Sequence, residues 1–229
     1  MNNNVIILGT DCYARMILTD LEFKPSKKNG ELTMVFDLIQ CSYKNCIKYL
    51  NTKFKYFFDN LEIKQSIHDT MHFEFKCIEN GYGTRFVHES YTLNSEFTSN
   101  KELSYETTNS NFINFHANNF EALEKRFTER IENLYKCITC SNIFVCMYYG
   151  DFNTDIIAEL VNCIENNFGI QNPKLYVINI HFDENILPLK KLHNNTIHLS
   201  IGLRDGLWNN TMYNRVKNMI QKDHSFFLK

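Results

Sequence analysis

Proline and glycine are scarce in this sequence, with three prolines, at Pro25, Pro173 and Pro188, and eight glycines in 229 residues. No Gly/Ser tract and no block of one charge divides the chain, so nothing marks a linker between two domains. A chain of this length fits one well-filled core, and the expectation is a single α/β domain over residues 1–229. Excess positive charge is also missing. Lys and Arg number 24 against 26 Asp and Glu, a formal net charge of −2, whereas nucleic-acid binders gather cations along one face; no nucleic acid is expected as a partner.

Long apolar runs are absent at the start. After Met1-Asn2-Asn3-Asn4, the stretch Val5-Ile6-Ile7-Leu8 is too short for a membrane span or a signal peptide, and no basic residues precede it. The expectation is a cytoplasmic chain with no membrane partner, whose eight cysteines are reduced core residues or nucleophiles rather than disulfides. A glycine-rich phosphate loop is lacking too, which counts against a nucleotide, and no cofactor is expected.

What the chain does hold is a core: 44% of it is apolar and 14% aromatic, too much for a disordered chain. Residues 5–8 are a continuous apolar run ending at Gly9, the pattern of a strand buried on both faces. Asp11 is a plausible N-cap for a helix through Ala14, Ile17, Leu18 and Leu21, which stops at the turn signals near Pro25 and Asn29-Gly30. Residues 32–39 are apolar with Asp37 inside them, and a helix through Tyr43, Ile47, Leu50 and Phe54 follows. Residues 71–78 alternate as a strand does, with 84–88 as a hairpin partner across Asn80-Gly81-Tyr82-Gly83. Residues 90–119 are polar and aperiodic and read as a long surface loop.

Alternation of strand and helix returns in the last hundred residues. Helices are expected over 120–138, 155–167 and 212–221, and strands over 143–148, 175–180 and 196–201. The whole predicts an open, mostly parallel, Rossmann-like sheet flanked by helices, with an irregular or antiparallel insertion in the middle.

The sharpest chemical feature is Leu8-Gly9-Thr10-Asp11-Cys12 running into a helix. A thiol at a helix N-terminus has its thiolate stabilised by the dipole and free amides, and functional groups in open α/β sheets gather at the carboxyl ends of strands. The same position also suits a small buried residue packing strand against helix. A thiolate wants a base, and His88 is the best-placed histidine, with Asp37 or Glu89 available to orient its ring; a surface histidine on an edge strand fits equally well.

Other groupings carry less. His68 and His72 are four apart but fall in strand-like sequence without a third ligand, so no metal site is expected. Cys137-Ile138-Thr139-Cys140 has redox spacing, yet it closes a helix where redox motifs open one. Gly150-Asp151 is a further strand-to-helix turn that could line a pocket at the same sheet edge.

The order of these segments resembles a family of intracellular α/β proteins classed as papain-like cysteine peptidases. The matching stretches are Leu8-Gly9-Thr10-Asp11-Cys12-Tyr13-Ala14, the pair Phe36-Asp37, an aromatic segment over 54–61 ending in Asn60-Leu61, and Tyr82-Gly83-Thr84-Arg85-Phe86-Val87-His88. An Arg-rich helical stretch over 126–131 then leads to the apolar strand over 143–147. The resemblance implies Cys12 as nucleophile, His88 as base and Asp37 as the orienting carboxylate, acting on a peptide or other acyl substrate. The chain departs from the family pattern at Thr10-Asp11 in place of Ser-Asn, at Leu38 in place of Trp, and at Glu89 in place of Asp. A carboxylate at Asp11 would raise a neighbouring thiol pKa. Two other functions suit the same sequence: an esterase using Gly9-Thr10-Asp11-Cys12 as lipase-like esterases use a Gly-Asp-Ser turn, and a non-catalytic module presenting residues 90–119 to a protein partner.

Overall fold

The structure, a computed structural model, describes residues 5–9, 13–25, 30, 32–68, 73–90, 105–106, 112–113, 115, 117–139, 142–149, 154–181, 190–193, 195–202 and 210–222. The chain opens with β1 (Val5–Leu8), all four side chains buried, and turns at Gly9 into α1 (Tyr13–Asp20). A single 3₁₀ turn at Val35–Asp37 precedes α2 (Tyr43–Asn51), whose N-cap Ser42 accepts the Asn45 amide at 3.1 Å. Then come β2 (Glu62–His68), β3 (Phe73–Glu79), the short α3 (Val87–Ser90), and the two-residue strands β4 (Tyr105–Glu106) and β5 (Phe112–Ile113). The second half runs α4 (Ala117–Cys137), β6 (Ile143–Tyr149), α5 (Thr154–Phe168), β7 (Lys174–His181), β8 (Lys190–His193), β9 (Thr196–Gly202) and α6 (Asn210–Lys222).

The main sheet has the order β1-β6-β7-β9-β8. Its first four strands are mutually parallel and β8 pairs antiparallel with β9, so the protein is mixed α/β with an open sheet. Strand side chains alternate between two cores. Ile6, Leu8, Phe144, Cys146, Tyr148, Leu175 and Val177 face residues of the 34–39 segment, α2, α4 and α5. Val5, Ile7, Ile143, Val145, Met147, Tyr176, Ile178 and Ile180 face α1 and α6. Burial on both faces explains why these strands read as continuous apolar runs. Among the described residues, no helix is long and apolar enough to cross a membrane.

The middle of the chain differs from the hairpin expected over 71–88. β3 pairs antiparallel along its length with β2, from Glu62↔Glu79 to His68↔Phe73, and meets residues 84–88 only at its end, where the Phe86 amide donates to the Ile78 carbonyl at 2.9 Å and the Asn80 amide to the Thr84 carbonyl at 3.0 Å. Those residues make single bridges at Arg85, to Glu79 and Gln40, and then enter α3. The cause is the buried Asn80. Its Oδ1 accepts the amides of Tyr82 at 3.1 Å and Thr84 at 3.0 Å, while its Nδ2 donates to Tyr49 Oη at 2.8 Å and to the Phe57 carbonyl at 2.7 Å. That turn brings buried Phe86 into the core, where its ring meets Phe57 and Phe127, and ends any strand. β2 escaped the sequence reading because Ile63 and Ile67 stand alone among polar residues.

α4 starts irregularly. Asn118, Asn119 and Phe120 have φ of 50°, 55° and 66°, so regular helix begins after them, close to the expected start at 120. Of the expected 90–119 loop, β4 and β5 form a small antiparallel pair, and most of the rest lies outside the described residues.

Candidate functional site

The turn leaving β1 is shaped by Gly9. It has φ +65°, and a Cβ placed there would meet Cys46 Cβ at 3.5 Å and the Cys41 carbonyl at 3.8 Å, so this end of β1 is seated directly on the start of α2. Thr10, Asp11 and Cys12 lie outside the described residues, and α1 begins at the next residue, Tyr13. The N-cap role expected of Asp11 lies outside them as well.

Arg15 sits in the first turn of α1 on the buried face, beside Ala14, Ile17 and Leu18. Its Nη1 donates to Asp37 Oδ2 at 2.9 Å. The same oxygen accepts the Met34 amide at 2.9 Å, closing the 3₁₀ turn that carries Asp37. Lys24 reaches in from below: its Nζ donates to the Val5 carbonyl at 3.2 Å and stands 3.7 Å from Asp37 Oδ1. β1 stands at the end of the sheet order, and Lys24 gives its Val5 carbonyl a buried donor. Among the described residues, the hydrogen-bond donors to Asp37 are thus Arg15 and the Met34 amide; an imidazole is not one of them.

His88 is half-buried on α3, not at a strand end as the sequence suggested. Its neighbour Glu89 is fully buried, with Oε1 at 2.9 Å from Arg130 Nη1 and 3.6 Å from Arg126 Nη1, both on α4. Arg126 also lies over the Phe115 ring and Arg130 over that of Phe127, each at 4.5 Å. Burial pulls the Arg130 guanidinium below its ordinary value, the Glu89 carboxylate opposes that, Arg126 adds to it, and Asp37 is close enough to counter it as well. Among the described residues, Asp37 Oδ1 and Glu89 Oε2 are buried without a hydrogen-bond partner, and Arg130 Nη1 is held by its ion pair with Glu89 Oε1.

Cys46, Cys146 and Cys163 are poorly suited to attack. Cys46 lies deep in the core, and burial, with Cys41, Cys146 and Cys163 nearby, pushes its thiol well up. Burial alone pushes Cys146 to about 12; it raises Cys163 to about 11, against a hydrogen bond from Asn167 that lowers it. Cys46, Cys146 and Cys163 are free thiols. Cys137 ends α4 half-buried, and Cys140 lies outside the described residues. His68 stands on β2, whereas His72, Gly150 and Asp151 also lie outside them. Among the described residues, no group of three or more His, Cys, Asp or Glu side chains could hold a metal ion.

The residues the sequence reading missed are the cations. Arg15 among apolar positions of α1, and Arg126 and Arg130 flanking Phe127 on α4, were the available signal, because a charge on an apolar helix face is costly unless paired. Comparison with known proteins finds no matching family model, no matching curated protein and no matching solved structure. The class that the architecture defines is therefore no narrower than an α/β protein with an open, largely parallel sheet.

Proposed function

We propose that the chain is a thiol-dependent hydrolase of peptides or related acyl compounds, with Cys12 as nucleophile and His88 as base. The observation that supports it is that α1, which begins one residue after Cys12, and α3, which carries His88, are held to one scaffold: α1 to the 3₁₀ turn by Arg15–Asp37, that turn to α4 by Asn133 and the Thr33 carbonyl, and α4 to α3 by Arg130–Glu89. Those segments are some seventy residues apart in sequence. Nothing but the tertiary fold joins them.

In the proposed reaction the imidazole takes the Cys12 proton and Sγ bonds to the acyl carbon. The leaving amine or alcohol departs with the proton from the imidazolium. Water, deprotonated by the same ring, then breaks the thioester and returns a proton to Cys12. The oxyanion would be met by backbone amides at the start of α1. Asp37 serves at one remove, holding Arg15 and with it the first turn of α1, while Gly9 sets the turn on α2. An esterase reading shares this chemistry and differs only in leaving group.

Cys12 falls in the tryptic peptide over residues 1–15, which contains no other cysteine. Brief labelling of the native protein with a thiol-directed acyl or alkyl probe is expected to mark that peptide first, and His88→Ala is expected to slow it by about tenfold to a hundredfold at neutral pH. Labelling of Cys12 no faster than that of an unfolded peptide control would remove the hypothesis.

A further inference from the structure

We infer that Arg130 is a positioning residue for the candidate site: with α4 as its support, it holds the segment carrying His88 at a fixed place relative to α1. The inference rests on the thiol-hydrolase reading and adds to it the residue that assembles the site.

The geometry runs through four elements. α1 is fixed to the 3₁₀ turn by Arg15 Nη1 to Asp37 Oδ2 at 2.9 Å. That turn is fixed to α4 by Asn133 Nδ2, which donates to the Thr33 carbonyl at 3.1 Å. α4 is fixed to α3 by Arg130 Nη1 at 2.9 Å from Glu89 Oε1, with Arg126 at 3.6 Å from the same oxygen. α3 is only four residues long and cannot hold its own conformation. Its anchor on the core side is Glu89, 1% exposed, and the nearest cation to Glu89 is Arg130, 7% exposed. A buried carboxylate that loses its nearest cation cannot stay where it is without a large cost. α3 would then move, carrying His88 with it, and a displacement of about 1 Å at a catalytic group is enough to lose on the order of a hundredfold in rate. The charged groups around Glu89 and Asp37 are Arg15 and Lys24 from the α1 side and Arg126 and Arg130 from α4.

The test compares Arg130→Lys, Arg130→Met, Glu89→Gln and His88→Ala with the parent chain. The readouts are the rate at which iodoacetamide alkylates Cys12, followed by mass spectrometry of the 1–15 peptide from about pH 5 to about pH 9, and far- and near-UV circular dichroism to show that each variant is folded. Arg130→Lys is expected to stay within about threefold of the parent, because it keeps the charge. Arg130→Met is expected to fall by about tenfold or more at neutral pH and to lose the same limb of the pH profile that His88→Ala loses. Should Arg130→Met not fold, Glu89→Gln, which keeps the shape and removes the charge, is expected to give the same profile.

A folded Arg130→Met or Glu89→Gln with the parent rate and profile, beside a His88→Ala that has lost them, overturns the positioning role and leaves the hydrolase reading standing. A His88→Ala indistinguishable from the parent overturns both.

Discussion

Asp37 is the residue on which several segments converge. It accepts from Arg15 and from the Met34 amide and lies beside Lys24, all inside the protein. Replacing both members of a buried ion pair can be nearly neutral, but removing one leaves an uncompensated charge. Asp37→Asn is therefore expected to cost about 3–5 kcal/mol in urea unfolding. The double variant Asp37→Asn/Arg15→Met should recover part of that loss, and simple additivity of the two single effects would contradict the pairing. Reactivity of the core thiols follows from burial in the same way. With Cys146 pushed to about 12, its thiolate fraction at neutral pH lies about a thousandfold below that of an ordinary cysteine. Cys46 and Cys146 should accordingly resist alkylation in the native state until the protein unfolds, as a time course with and without urea would show.

The turn over 80–84 is decided by one side chain. Asn80 uses both ends of its carboxamide, binding Tyr82 and Thr84 amides on one side and Tyr49 and Phe57 on the other. Asn80→Ala strands these buried groups, and a loss of roughly 3 kcal/mol in chemical unfolding is expected; a loss below the error of the measurement would mean that the turn forms without it. Nothing in Asn80-Gly81-Tyr82-Gly83 distinguishes this arrangement from an ordinary hairpin turn, since its partners Tyr49 and Phe57 lie far back in the sequence. For that reason the stretch over 84–88 read as a strand and His88 was expected at a strand end. β2 was hidden for a different reason, because in Glu62–His68 only Ile63 and Ile67 are apolar and they do not alternate with a period of two. β1, β6 and β7 were legible because parallel strands covered on both faces are largely apolar, and β9 because Ile197, Leu199 and Ile201 alternate with polar residues. The ionic region was not: Arg15, Lys24, Asp37, Glu89 and Arg130 give no local signal of pairing, and only the residue types on buried helix faces hinted at it.

Across the whole molecule, the buried thiols set a limit on the alkaline side. Below the ordinary thiol value of 9.0 both folded and unfolded chains keep these protons. Above it the unfolded chain releases them while the folded chain holds them, up to about 11 at Cys163 and about 12 at Cys146. The unfolded state then binds fewer protons, so stability must fall as pH rises through that window, by up to about 1.4 kcal/mol per pH step for each thiol. Cys146→Ala is expected to be less stable at neutral pH but to show a shallower alkaline decline; an unchanged slope would assign the decline to other groups, such as Tyr49, which burial also raises.

β1 pairs with β6 in the register Val5↔Ile143, a separation of 143 − 5 = 138 positions. During synthesis, then, β1 leaves the ribosome long before β6, its sheet neighbour among the described residues, exists. Its apolar run must wait, shielded by nothing but whatever α1 and α2 can offer, until most of the polypeptide has emerged. Contacts this distant along the chain slow folding, and they make β1 a stretch of exposed apolar sequence that a chaperone would cover until β6 arrives.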